Sequence, residues 1–364
     1  VVSYSYSVSI ALAVCEGEIS RLGRVWADGT EISLENTTWR LYTGADDQMP
    51  DPLISAIEGA ENAPAYRGTA YVVFENLELA PFGNRIPQFN FEVVRRVKEV
   101  EPNPLVDPFD TLNAVALIPG TGEYSLSTTP VRYEFDKGIS RSANQNNSSG
   151  QTDFVYSMDQ LASDLPKVDS VSMVVSWFGN DLRCGSCELR PLVEQNDTDG
   201  DTIAWRVSGE TRTSAQTVGR IDGNSVFGGT TSDASVLEAI SKMKSDGLEV
   251  MFYPFILMDI GPGNSLPDPS SGLNGQPVFP WRGRITLDIA PERVGSPDKT
   301  VVAENQVKQF FGNAQPSDFT PNGDTVDYSG PSDWGYRRFI LHYAHLCAMA
   351  GGIDSFIIGS ELKG

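Results

Sequence analysis

Histidine is almost missing from this chain: its 364 residues include only His342 and His345. They lie three apart in one helical pattern with no carboxylate beside them in sequence, so a structural role is expected rather than a metal centre. No Gly-x-Ser-x-Gly elbow, P-loop or Gly-x-Gly-x-x-Gly turn after a strand occurs, which removes hydrolases of the elbow type, phosphate-loop enzymes and the dinucleotide fold. Cysteine is also sparse, at Cys15, Cys184, Cys187 and Cys347. The one close pair, Cys184-Gly-Ser-Cys187, lacks the second Cys or His pair of a zinc ribbon. Glu188-Leu-Arg-Pro191 reads as extended rather than as the helix start of a redox motif, so buried thiols are expected. Neither a metal nor another cofactor is expected.

Basic charge is in short supply. Acidic residues outnumber basic ones 48 to 27, a formal charge of −21. Such a field repels phosphate backbones and anionic bilayers, so nucleic acid is not an expected partner. No apolar run approaches the ~20 residues that span a bilayer, and no basic segment followed by an apolar core marks a signal peptide. The first residue is Val1, and the chain reads as a piece of something longer.

What is present divides in two. Val2, Tyr4, Tyr6, Val8, Ile10, Leu12 and Val14 alternate with serines and alanines, the period of a half-buried strand. Asp28-Gly29 between Arg24–Ala27 and Thr30–Ile32 predicts a hairpin with a type I′ turn. Strands are also predicted at Trp39–Tyr42, Ala70–Phe74 and Phe89–Val94, with one short helix entered through Pro52. Residues 1–100 are therefore predicted to be mostly β, and Glu101-Pro-Asn-Pro-Leu-Val-Asp-Pro108 is a linker.

From 109 to 364 the pattern is helix then apolar strand. Asn113–Ile118, Val171–Phe178, Val250–Ile256 and Asp354–Ile358 are the strands, with Val171–Phe178 expected to be buried on both faces. Ser157–Leu165, Ser232–Asp246, a helix opened by Ser296-Pro297 and running to Phe311, and Tyr336–Ala350 are the helices. This is the grammar of a parallel sheet covered by helices, and a barrel is preferred over a doubly wound sheet.

Barrel enzymes keep catalytic groups just past the carboxyl ends of their strands. Glu361, in Ile358-Gly-Ser-Glu-Leu362, holds that position and is the candidate general acid/base for a glycosidic bond. Asp259 and Asp181 are the other carboxylates placed after strands. Trp177, Tyr253 and Trp281 could stack on sugar rings, and Arg282, like Arg284, could address an anionic ligand. Asp197, Asp199 and Asp201 lack the glycine of a calcium loop after the third acid and are expected in a polar turn.

Two groups of motifs carry a resemblance. Leu12-Ala-Val-Cys-Glu-Gly-Glu-Ile19 to Arg24-Val-Trp-Ala-Asp-Gly29, Pro64-Ala-Tyr-Arg-Gly68 and Phe82-Gly-Asn-Arg-Ile-Pro87 resemble the tail-tip host-attachment proteins of long-tailed phages. Trp177-Phe-Gly-Asn-Asp-Leu-Arg183, Val250-Met-Phe-Tyr-Pro-Phe-Ile-Leu-Met-Asp259, Trp281-Arg-Gly-Arg284 and Arg337-Arg-Phe-Ile-Leu-His-Tyr-Ala344 to Gly359-Ser-Glu-Leu362 resemble the TIM-barrel-like domain of gene transfer agents and their baseplate "megatron" family. The resemblance implies a β-rich tail-hub segment, then a glycoside-hydrolase-like TIM barrel that is incomplete in this chain. It implies a homotrimer at the distal tail tip or baseplate of a virion, contacting hub, distal-tail, tail-tube and tape-measure proteins and facing a host envelope glycan or receptor. It matches Glu361 to the acid/base glutamate after the fourth strand, with a second carboxylate expected beyond Gly364. The expected function is structural, in host attachment or envelope penetration; an active glycosidase cutting envelope polysaccharide or peptidoglycan is the alternative.

Overall fold

The computed structural model describes residues 6–95, 111–118, 122–136 and 138–362. The chain divides into two units, Val1–Asp107 and Pro108–Gly364. The expected linker at 101–108 lies outside the described residues, as do Val2 and Tyr4 of the first alternating run.

In the first unit the strands are β1 (Ser7–Glu16), β2 (Arg21–Ala27), β3 (Thr30–Ile32), β4 (Thr38–Tyr42), β5 (Thr69–Glu78) and β6 (Phe89–Val94). They form two antiparallel three-stranded sheets, ordered β1-β5-β4 and β3-β2-β6. The alternation of β1 does what its period requires: Ser7, Ser9, Ala11 and Ala13 face solvent, while Val8, Ile10, Leu12 and Val14 pack onto Val72, Phe74 and Leu77. Phe89 of the second sheet stacks on Phe74 with ring centroids 5.0 Å apart, so the two sheets share this core. Asp28 and Gly29 both adopt positive φ, 51° and 81°, as a type I′ turn demands. Helix α1 (Pro52–Glu58) is capped by Asp51, whose carboxylate accepts from the N–H groups of Leu53 and Ile54 and from Arg40 and Tyr42. Burial pushes this carboxyl up, but those hydrogen bonds outweigh it and hold its pKa at about 2.

The second unit is built on strands β7 (Ala114–Leu117), β10 (Ser170–Gly179), β16 (Glu249–Met258) and β19 (Ser355–Phe356). Between them come the hairpin β8–β9 (Arg132–Asp136, Ile139–Ser142), helix α2 (Asp153–Asp164), β11 (Leu189–Arg190), the short hairpins β12–β13 (Arg206–Val207, Glu210–Thr211) and β14–β15 (Arg220–Ile221, Asn224–Ser225), and α3 (Asp233–Ser245). After β16 come α4 (Val301–Phe311), the hairpin β17–β18 (Phe319–Asn322, Thr325–Tyr328) and α5 (Tyr336–Met349).

Strands β7, β10, β16 and β19 are parallel neighbours in chain order, with β11 antiparallel against the end of β10. A doubly wound sheet reverses its strand order at a switch point, and this sheet does not. Sequential order is what the opening strands of a barrel would show, although the sheet does not close on itself among the described residues. Val171, Met173, Val175 and Trp177 of β10 and Val250, Phe252, Ile256 and Met258 of β16 form one buried cluster with α2, α3 and α5. None of the described helices is long and apolar enough to cross a membrane.

Two expectations need correction, and β16 adds a detail of its own. Helix α4 starts at Val301 with Thr300 as its cap, because Ser296 and Pro297 are used in a preceding turn: Ser296 Oγ donates to Ile289 O and Thr300 N–H to Pro297 O. Helix α2 starts at Asp153, four residues before the predicted Ser157, because Thr152 caps it. Strand β16 alternates between buried and half-buried residues, since the helices cover one face of it only. Pro254 sits within β16 at little cost. Val250 and Phe252 direct their carbonyls to Asp354 and Ile357, so the position of the missing Pro254 N–H faces the β19 side, beyond the last paired rung.

Candidate functional site

Segment 276–286 crosses the carboxyl ends of β10, β16 and β19, engaging residues just past all three. Gln276 donates to Asp181 Oδ1 at 2.7 Å and accepts from Leu182 N–H; Phe279 N–H bonds Ile260 O; Trp281 and Arg282 meet Glu361; Thr286 N–H bonds Leu182 O. Two residues here take left-handed backbone without being glycine: Phe279 at φ 43° and Glu361 at φ 55°. Such strain persists only where neighbours hold it.

At Glu361 those neighbours are explicit. Its Oε2 lies 2.7 Å from the Arg282 guanidinium and 2.9 Å from the Trp281 indole N–H. Arg282 is almost fully buried; it stacks 3.8 Å over the Phe255 ring and donates to Tyr253 Oη at 3.1 Å and Ser360 Oγ at 3.0 Å. Tyr253 and Ser360 are themselves hydrogen-bonded. Tyr253 and Phe255 are two apart on β16 and so share the face the helices leave open. A charged, buried arginine is thus braced from below and aims at a carboxylate that is 53% exposed. The Trp281 indole lies close over Gly283, where an added Cβ would come within 2.4 Å of the ring, and Trp281 is 57% exposed.

Glu361 and Leu362 border two hollows. One, about 520 Å³, is lined by Ser270, Trp281, Gly283, Arg284, Thr286 and Ala290. The other, about 700 Å³, is more apolar and runs along Phe311, Tyr336, Ile340, Leu341 and Ile358. Both volumes fall in the range of small-ligand sites.

The remaining sequence candidates separate. Asp259 lies just past β16 and is half-buried; its Oδ2 accepts from Gly219 N–H at 2.8 Å, while its buried Oδ1 has no partner among the described residues. Burial pushes its carboxyl up, opposed by the Gly219 hydrogen bond. Asp181 is committed to structure: it accepts from Arg183 N–H, the Arg183 guanidinium and Gln276, and is 4% exposed. Trp177 is corrected outright as a sugar platform. Its ring is wholly buried on the helix side of β10, with its indole N–H on Tyr343 Oη at 2.9 Å. Trp281, Arg282, Tyr253 and Glu361 are the candidates brought together. Sequence reasoning missed Phe255 and Gln276; the two-residue spacing from Tyr253 could have flagged Phe255, whereas nothing local marks Gln276.

His342 sits buried against Asp233 of α3, Nε2 to Oδ1 at 2.9 Å, and Asp233 also accepts from Thr325 and Val326. His345 stacks on Phe319. Asp199 turns inward to Arg212 and Tyr124, while Asp201 accepts from Arg132 N–H, so these acids do not form one loop site. Among the described residues no cluster of His, Cys, Asp or Glu is placed to hold a metal.

No curated protein matches the sequence. A chain of the solved structure "Virion of native gene transfer agent (GTA) particle" is 58% identical over 33% of this chain, with a TM-score of 0.27. The match takes in 28% of that chain's own length. Residues 334–364, which hold α5, β19 and Glu361, match the family model described as the GTA TIM-barrel-like domain.

Proposed function

We propose that this chain is a structural component of the tail tip or baseplate of a phage-like particle of the gene-transfer-agent kind, and that its second unit meets host-envelope saccharide through the rim around Glu361. The observation that carries the proposal is that the matched family segment, residues 334–364, ends in the strand and glutamate that build this rim. The particle setting, a homotrimeric state and contacts with hub, distal-tail, tail-tube and tape-measure proteins rest on the sequence resemblance. The geometry favours holding a saccharide over cutting it. Glu361 Oε2 is held by Arg282 and Trp281, and a carboxylate held in an ion pair is placed to accept from a sugar hydroxyl. Immunogold labelling of purified particles with antibody against this chain tests the placement: label at the distal tail end is expected. Particles lacking the chain, or labelled on the capsid, refute it.

Hydrolysis is the second reading, favoured by the position of Asp259 and Glu361 just past neighbouring parallel strands. In it, Glu361 acts as acid/base after leaving Arg282. Turnover of peptidoglycan or envelope polysaccharide that is abolished by Glu361→Gln is expected; equal turnover by the variant removes Glu361 from catalysis.

A further inference from the structure

The arginines of the rim are not equivalent. Arg183 is paired with Asp181, and Arg282 with Glu361. Arg284 gives its backbone N–H to Trp281 O at 3.0 Å, but its guanidinium has no hydrogen bond or ion pair among the described residues. That is notable in a chain with 48 acidic and 27 basic residues, where carboxylates are abundant. It borders the 520 Å³ hollow together with the exposed Trp281, the hydroxyl residues Ser270 and Thr286, and Glu361.

Charge around that hollow balances, Arg282 against Glu361 and Arg284 against nearby Asp268, but the two arginines are not equally engaged. Glu361 is matched by Arg282. Asp268 is buried, which pushes its carboxyl up; hydrogen bonds from Ser271 and the Ser270 and Ser271 N–H groups outweigh this, and Arg284 adds a smaller pull in the same direction. The Asp268 oxygens are spent on that turn and form no ion pair with Arg284. One guanidinium therefore remains with its planar fork of donors unused, a fork whose geometry suits a carboxylate.

We propose that this hollow binds a carboxylate-bearing saccharide, its ring on the exposed Trp281 indole, its carboxylate on Arg284 and a ring hydroxyl donating to Glu361 Oε1, which accepts no other bond among the described residues. This rests on the reading that the rim faces envelope saccharide. Two sources share the chemistry: uronic acids of surface polysaccharide and the muramic acid of wall glycan.

The test titrates the full chain by calorimetry with three probes: tri-galacturonate, its fully methyl-esterified form, and the N-acetylglucosaminyl-N-acetylmuramic acid disaccharide. The free acid is expected to bind at least about tenfold more tightly than the neutral ester, the scale of one charge-assisted pair. Arg284→Gln should erase that difference without moving the melting temperature, and Trp281→Ala should weaken both ligands. Stronger binding of the disaccharide than of tri-galacturonate identifies wall glycan as the source, and the reverse identifies surface polysaccharide. Acid and ester binding alike overturns the anionic preference while sparing the saccharide reading. Failure of all three probes to bind overturns both. A preference that survives Arg284→Gln overturns the assignment to this arginine.

Discussion

Replacing Arg282 with methionine should destabilise the second unit far more than replacing Glu361 with glutamine, although the two side chains form one ion pair. Arg282 is 4% exposed and contributes hydrogen bonds to Tyr253 and Ser360 as well as a stack on Phe255. Hydrogen bonds to a charged group are worth about 1.5–3 kcal/mol, and a partly desolvated cation–π contact adds about 1 kcal/mol. Methionine keeps some packing volume, so a net loss of about 3 kcal/mol is expected for Arg282→Met. The Glu361 carboxylate is 53% exposed, so its pairing is screened by water. Glu361→Gln leaves Arg282 its tyrosine and serine partners and should cost at most about 1 kcal/mol. For a unit of this size, ~3 kcal/mol corresponds to a fall of about 6–12 °C in Tm. Calorimetric melts of both variants, tracking the transition of the second unit, decide the matter. Equal losses would show that the arginine does not brace the rim independently of the glutamate.

Asp259→Asn should raise stability at neutral pH. The folded-state pKa of Asp259 lies above its unfolded value, so the neutral carboxyl's favourable burial is fully present below the unfolded pKa and is lost as pH rises through the folded one. The advantage of the variant should thus shrink as melts move from pH 7 toward pH 4; an advantage constant with pH contradicts this. Gly283→Ala should push the Trp281 indole off its seat, changing tryptophan emission and weakening the Glu361 contact, and an unchanged spectrum would count against it. Burial raises the Cys187 and Cys347 thiols to about 12 and also raises Cys184, so a thiol reagent at pH 8 should titrate Cys15 first and the other three only on unfolding. Rapid native labelling of Cys184 or Cys187 would refute this. Asp233→Ala strips partners from His342, Thr325 and Val326 in a fully buried site and should cost about 3 kcal/mol or more, read from the same melts.

The sequence is legible wherever a few adjacent residues decide the outcome. The alternation of β1, the Asp28-Gly29 turn and the Ser232 cap of α3 with Gly247 past its end all depend on near neighbours. Pro297 misleads because a proline suited to a helix start suits a turn equally well, and the choice falls to Thr300. Trp177 misleads because proximity to a strand end does not say which face a side chain takes; counting in twos from Val171 and Met173 places it with the helices. The Asp233–His342 pair joins residues far apart in sequence, and segment 276–286 owes its course to partners on three strands. No local pattern encodes either. Glu361 is legible as a post-strand carboxylate, whereas its grip by Trp281 and Arg282 depends on that segment's path.

Because one short loop addresses the ends of three strands, the rim's chemistry is separable from the scaffold beneath it. Exchanging residues such as Trp281 and Arg284 would alter the lining of the hollow while leaving the ladder between β10 and β16 untouched. Under the proposed saccharide reading, a change of target would take only a handful of codons, without rebuilding the sheet.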